Sequence, residues 1–308
     1  MKILKGIAEL DTPLRQTYVT IGNFDGVHLG HQSIINALVR RARNESGTSV
    51  VFTFRPHPQA ALKPGVGVEL ITTYDEKLEL LSQLSPDVII EQPFSREFST
   101  FSAEEFFEEV VLKRLSTKVI SVGYDFGFGK GRSGNIEFLK DKCSERGIEL
   151  VVTEPQSFAG DVCSSSRIRT YLHGGKVLEA SRLLGRPFFY RGVVIKGDGR
   201  GHKIGFPTAN VLLPNKVMVA NGVYAVRAKI RGNQYWGLTN VGVRPTFLTQ
   251  GHSTVETHIL NFSGDIYGEL LHIEFLGHLR AEMRFANKDD LTAQIAKDIA
   301  AAQKYFGE

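Results

Sequence analysis

In the first half of the chain, short unbroken apolar runs alternate with segments whose apolar residues recur every three or four positions. The runs at 18–21, 50–54, 87–91, 118–123 and 148–153 read as buried strands. Between them, Ile34, Ile35, Leu38 and Val39 mark one helix, and Leu78, Leu80, Leu81 and Leu84 mark another behind a Thr73/Glu76 capping box. A second capping box, Ser102/Glu105, opens a helix through Leu115, and a further helix spans 136–146. Strand and helix in alternation predict an α/β unit, a Rossmann-like doubly wound parallel sheet covered on both faces.

The pattern then changes. A helical stretch with Leu178, Ala180, Leu183 and Leu184 stops at Gly185-Arg186-Pro187, and period-two alternation takes over at 188–196, 222–230, 235–241, 254–262 and 270–276. Tyr224, Val226, Ala228 and Ile230 share one face of the second of these. Few strands and many glycines predict a small closed antiparallel barrel. A last helix, 289–306, has Leu291, Ile295, Ile299 and Ala302 to pack against it. The expected domains are 1–185 and 186–308.

Composition adds limits. A net charge of +4 over 308 residues, with Lys and Arg dispersed, does not argue for nucleic acid and leaves small anions as ligands. No run is long enough to cross a bilayer and the first residues lack a secretory pattern, so a cytoplasmic protein without membrane partners is expected. Cys143 and Cys163 show no C-x-x-C spacing and suggest neither a disulfide nor a metal site.

Four polar segments follow strand ends, where parallel sheets bind ligands. The first is Gly22-Asn23-Phe24-Asp25-Gly26-Val27-His28-Leu29-Gly30-His31. Its glycines, a helix start and two imidazoles suit phosphate; zinc ligation and an ordinary turn are the alternatives, the former lacking a nearby cysteine or metalloprotease glutamate. The second holds His57 between Pro56 and Pro58. The third, 123–134, alternates glycine with aromatics, so Phe126 and Phe128, beside the candidate binding residue Asp125, offer an apolar wall for a flat ring, or the segment is a plain surface loop. The fourth, Ser164-Ser165-Ser166 with Arg169, starts a short helix as a second anion site or as simple serine caps.

In the second half, Gly199, Gly201, His202, Lys203 and Gly205 form a glycine-rich turn suited to phosphates, followed by Pro207, Thr208 and Asn210. Thr208 and Asn210 are neutral oxygen ligands for Mg²⁺, whereas a hairpin loop is the bland alternative. Glu256 shares a strand face with Thr254, His258 and Leu260, either as a general base or as a solvated residue.

At these residues the chain resembles the prokaryotic bifunctional riboflavin kinase/FAD synthetases. Residues 22–31 have the family's G-x-F-D-G-x-H-x-G-H form. Segments 53–58, 123–134, 164–169, 207–210, 221–225, 240–247 and 255–262 follow in the family's order. The resemblance implies ATP-dependent phosphorylation of riboflavin to FMN in the second module, with Glu256 as base and Asn240 in the site. It implies adenylylation of FMN to FAD in the first, with His28, His31, Ser166 and Arg169 as its main residues and Mg²⁺ serving both. Gly127 stands where the family usually has arginine, Ser166 where threonine is common, and the Trp236 segment is less typical. A chain with one active module and a non-catalytic flavin- or RNA-binding regulator are the competing readings.

Overall fold

The computed structural model describes residues 1–62, 67–158, 160–197, 199, 201, 204–214, 216–246 and 249–307. His202 and Lys203 of the glycine-rich turn lie outside these residues. The chain divides into two compact units, Met1–Ser164 and Ser165–Glu308.

The first unit runs β1 Lys2–Leu4, β2 Thr17–Ile21, α1 Leu29–Asn44, β3 Thr48–Arg55, α2 Pro58–Leu62, α3 Tyr74–Gln83, β4 Val88–Pro93, α4 Ala103–Glu105, β5 Thr117–Gly123, α5 Ile136–Arg146, β6 Glu149–Thr153 and a hairpin of β7 Ser157–Phe158 with β8 Asp161–Val162. Helix α4 continues through Phe106–Arg114 with the wider π-type repeat. The sheet order is β1-β4-β3-β2-β5-β6, with every pairing parallel. Its edge strand β1 went unread in the sequence because its three residues are too few to show a period.

Alternation along the strands supplies two cores. Val50, Phe52, Val88, Ile90, Ile120 and Val122 pack with Phe106, Phe107, Leu139 and Cys143. From the opposite face, Val51 and Ile89 meet Ile35 and Val39 of α1 and Leu78 and Leu81 of α3. Both capping boxes form, at Thr73/Glu76 and Ser102/Glu105. Cys143 and Cys163 are free thiols.

The second unit opens with α6 Ser165–His173 and α7 Val177–Leu184, ended by Gly185 in the left-handed region. The expected division lay after these helices, at 185/186; by contacts they group with the barrel, for α7 lies against β14 Leu270–Arg280. Val177, Ala180, Leu183 and Leu184 are the buried residues of α7, while Leu178, expected inside, is exposed. The other strands are β9 Phe189–Ile195, β10 Ala209–Leu212, β11 Gly222–Ile230, β12 Asn233–Thr246 and β13 Thr249–Ile259. They close as β10-β13-β12-β11-β14-β9. Strand β10, hidden in the polar Thr208-Ala209-Asn210 stretch, is the member that periodicity missed.

Helix α8 Lys288–Ala302 follows, capped by Asn287. Its Asp298 takes a bidentate bond from Arg280 on β14, and beyond it Phe306 stacks on Trp236 at 5.0 Å. The unusual Trp236 segment thus anchors the end of the chain to the barrel. Among the described residues no helix is long and apolar enough to cross a membrane.

On the barrel wall, Glu274 accepts hydrogen bonds from Arg227, Lys229 and His272. Burial alone would raise its pKa, but the bonds from His272, Lys229 and Arg227 prevail and bring it to about 2. A carboxylate depressed in the folded state contributes stability above its ordinary value of 4.5 and loses that contribution as pH falls toward 2. Acid should therefore lower the urea midpoint of this unit, followed through Trp236, the chain's single tryptophan, more steeply in the wild type than in Glu274→Gln. Parallel pH slopes in the two proteins would contradict this account.

Candidate active sites

In the first unit, the loop between β2 and α1 is a strained turn. Phe24, Gly26 and Val27 have φ of 51°, 81° and 39°, an outlying value for a β-branched residue like Val27. His28 caps α1, its Nδ1 accepting the His31 backbone N–H at 3.3 Å, which leaves the ring proton on Nε2. Cys163 Sγ lies 3.4 Å from the same Nδ1, so the residue before Ser164 touches the loop. A Cβ on Gly30 would sit 3.2 Å from the His28 ring, which explains the glycine between the histidines: the ring folds over the first turn.

The His28 and His31 rings stack with centroids 3.5 Å apart and planes at 20°. Ring lone pairs lie in the plane, so near-parallel rings do not converge on one ion, and zinc ligation finds no support in this arrangement. His31 Nδ1 is buried and has no hydrogen-bond partner among the described residues, an unmet polar atom of the kind a ligand satisfies. Burial, followed by the charges of His28 and Lys77, holds the His31 pKa well below 6.5. The ring is neutral at physiological pH and acts as a hydrogen-bonding group.

What holds the turn is the segment leading into α3. Asp25 is buried and accepts the Ile71 backbone N–H at 3.0 Å and that of Thr72 at 3.2 Å. Thr72 Oγ1 takes the Gly26 N–H at 3.2 Å. Lys77 Nζ donates to the Asn23 carbonyl at 3.3 Å, Thr53 Oγ1 at 2.9 Å and the Phe54 carbonyl at 2.9 Å. Tyr74 Oη accepts the His57 N–H at 2.9 Å, while His57 Nδ1 caps α2 through Gln59 at 3.2 Å. Asp25 and His57 are therefore engaged with the backbone, and Ile71–Lys77 braces both polar loops at once. Sequence reasoning passed over Lys77, although a lysine beside Leu78 on a buried helical face was the visible signal.

In the loop after β5, Phe126 and Phe128 stack at 5.4 Å, and Phe128 also packs on Phe106 and Phe138. Both are half-buried and Asp125 is exposed, so the pair is an extension of the core with one accessible edge. At Gly127, which stands in place of the family's usual arginine, a Cβ would lie 2.8 Å from Arg132 Nη2. A guanidinium from five residues on thus occupies the space beside the glycine. Ser164 closes this unit.

In the second unit, Ser165, Ser166 and Arg169 lie on the first turns of α6; Ser166 is exposed and Arg169 half-buried. On the barrel, Asn210 pairs with Glu256 and Glu256 with Asn240 across β10, β13 and β12. The next row inward is Ala209, Thr257 and Thr239, the last two fully buried and bonded through their hydroxyls at 2.8 Å. Alternation therefore sends Asn210, Glu256 and Asn240 to the other face, where all three are half-buried. His258 Nδ1 pairs with the Pro207 carbonyl at 2.8 Å, fastening the Pro207-Thr208 segment to β13. A Cβ on Gly197 would overlap the Asn210 side chain, so this glycine admits the asparagine. Gly199 and Gly205 have φ of 67° and 86°, and Gly201 N-terminally brackets the turn around Phe206 through its carbonyl.

A parallel sheet with a phosphate-suited turn at its strand ends, joined to a closed barrel bearing a carboxylate between two amides, defines a two-module transferase. The sequence profile of FAD synthetases matches residues 11–167 and that of riboflavin kinases residues 184–306. The bifunctional riboflavin kinase/FMN adenylyltransferase of Escherichia coli K12 is 35% identical, with 100% of this chain and 98% of that protein covered. The Bacillus subtilis enzyme of the same name is 36% identical over 94% and 93%, and the Haemophilus influenzae enzyme 34% over 99% of each. A solved structure from Streptococcus pneumoniae titled a macrolide-efflux protein superposes with a TM-score of 0.89 at 32% identity, covering 98% of each chain. The chain belongs to the bifunctional riboflavin kinase/FMN adenylyltransferase family.

Asp25→Ala should unfold the first unit more readily by about 3 kcal/mol, because charged hydrogen bonds are lost and buried N–H groups stay unmet. The check is a denaturant titration beside His28→Ala, whose cap is worth about 1 kcal/mol; equal losses would contradict the bracing role of Asp25.

Proposed function

We propose that adenylylation of FMN proceeds at the Gly22–His31 turn and phosphorylation of riboflavin at the Asn210–Glu256–Asn240 row. For the first reaction, the FMN phosphate attacks the α-phosphorus of ATP and pyrophosphate departs. Both reacting groups are already anionic, so no base is needed, and the chain's task is to position two anions and stabilise the charge that develops. His28, through the Nε2–H left by its capping bond, and the neutral His31 are donors to the phosphate chain. The partial positive charge of the α1 start adds to them, while its N–H groups are engaged: Leu29 and Gly30 with Cys163, His31 with His28 Nδ1 and Gln32 with the His28 carbonyl. Ser164, Ser165, Ser166 and Arg169 are assigned to the same reaction as anion ligands, the three serines being within the FAD synthetase profile, which ends at residue 167. Phe126, Phe128 and Asp125 are assigned to the flavin, and Gly22, Asn23, Phe24, Asp25 and His57 to the frame of the site.

For the kinase, the observation that carries the reading is the transverse row itself. A carboxylate flanked in register by two amides, on the accessible side of a sealed barrel, is placed to take a proton from a hydroxyl whose neighbours the amides hold. Glu256 removes the proton of the terminal ribityl hydroxyl as its oxygen attacks the γ-phosphorus, and ADP leaves. Thr208 and Asn210, two residues apart and therefore on one side of the extended chain, are hard neutral oxygen donors that fit Mg²⁺. When bound there, the ion supplies positive charge to the phosphates. Gly199, Gly201, His202, Lys203, Gly205 and Pro207 are assigned to the ATP phosphates around them.

Separate sites make separable losses. His28→Ala is expected to lower FAD formation by about 100-fold or more while riboflavin still becomes FMN. Glu256→Gln is expected to halt FMN formation to a similar degree while supplied FMN is still adenylylated. Product profiles from riboflavin with ATP, and from FMN with ATP, read both. Loss of both steps in a folded single variant would overturn the assignment of one reaction to each module.

A further inference from the structure

Lys77 is 4% exposed, and among the described residues its ammonium is met by neutral oxygens alone: the Asn23 and Phe54 carbonyls and the Thr53 hydroxyl. Three acceptors satisfy its three N–H bonds, so as a hydrogen-bonding group it is complete. As a charge it is not, since among the described residues no carboxylate touches it. The ionisable groups around it are Asp25 on the loop, His31 on α1, Arg55 at the end of β3, Tyr74 on its own helix and Glu91 on β4. Asp25 is turned to the Ile71 and Thr72 amides. Glu91 gives one oxygen to Lys5 at 2.8 Å, and its other is buried with no hydrogen-bond partner among the described residues. Arg55 and Lys77 share the Tyr74 ring, at 5.0 and 5.5 Å.

A brace alone does not require a cation. A neutral donor would tie Asn23 to Thr53, and indeed the Thr53 hydroxyl itself donates to the Asn23 carbonyl at 3.2 Å. Burying an ammonium against neutral oxygens costs solvation, and burial accordingly brings the Lys77 pKa down to about 8. Its field nonetheless reaches the turn, being one of the causes that keep His31 uncharged. A fixed positive charge directly behind a loop built for phosphates gains its counter-charge when the anion arrives.

We propose that Lys77 is a positioning residue for adenylyl transfer, holding the Asn23 carbonyl against the end of β3 and setting a positive field behind the triphosphate and departing pyrophosphate. The inference rests on the assignment of that reaction to the Gly22–His31 turn. Lys77 need not touch the substrate; it acts through the loop and through space. Because the cation is the active form, FAD formation should fall as pH rises through about 8. His31, already neutral there, contributes nothing to that limb.

The test measures kcat and KM for FMN adenylylation by the full chain, from about pH 6.5 to about 9.5, in wild type, Lys77→Met and Lys77→Arg. Lys77→Met is expected to lower kcat by about 10- to 100-fold with KM for FMN within about threefold, and to lose the alkaline limb. Lys77→Arg keeps the charge, so it should recover part of kcat and stay level through the pH at which the wild type declines. Near-ultraviolet circular dichroism establishes folding; should Lys77→Met not fold, the Lys77→Arg profile decides alone. Wild-type kcat in folded Lys77→Met, or the same alkaline limb in either variant, overturns the proposal. His28→Ala run alongside separates the two levels: if it too leaves FAD formation intact, the site assignment has failed, whereas its loss with a silent Lys77→Met removes only the role of Lys77.

Discussion

The buried carboxylate of Asp25 is the constraint on which the first unit's site depends. The turn it holds contains two non-glycine residues, Phe24 and Val27, in the left-handed region, each costing about 1–3 kcal/mol. Charge-assisted hydrogen bonds are worth about 1.5–3 kcal/mol apiece, so the pair of amides at Ile71 and Thr72 roughly balances that strain. The balance is close enough that the Lys77 and Thr72 contacts matter to it. What the strain achieves is geometric: the chain reverses in time for His28 to cap α1 and for its ring to lie flat on His31 over Gly30.

The second unit solves a different problem with a different device. Its row of Asn210, Glu256 and Asn240 is set by strand register alone, and the hydroxyl pair of Thr239 and Thr257 seals the interior directly beneath. A slip of one residue would turn Glu256 into the core, so every pairing around the closed barrel protects that orientation. Adenylylation uses anions that need positioning and neutral donors, whereas phosphorylation of a hydroxyl needs a base. On the proposed assignment the two architectures match that division: a helix start with the neutral His31 in one unit, a half-buried carboxylate in the other.

Much of this was legible beforehand because it is local. The capping boxes at Thr73/Glu76 and Ser102/Glu105, the helix at 136–146 and the alternation at 222–230 each depend on neighbours within a few residues, and each appears in the structure. Short or chemically disguised elements were not. Strand β1 has too few residues for a period, and β10 carries the polar Thr208-Ala209-Asn210 chemistry that elsewhere signals a loop. Leu178 was placed inside by its hydrophobicity, yet the buried stripe of α7 begins at Val177, because packing against the barrel sets the rotation of so short a helix.

The sequence by itself determined which residue types could do the chemistry: paired histidines around a glycine, a carboxylate on an alternating strand, and the two-module order that carries the family membership. Only the tertiary structure decided how those residues are occupied. It committed Asp25 and His57 to backbone amides, stacked His28 on a neutral His31, and set Arg132 beside Gly127. It also brought Lys77 from fifty-four positions away in the chain to the back of the loop at Asn23. Side-chain partners across such separations follow from how helices settle on a sheet, and the long-range burial that selects them has no local period to read.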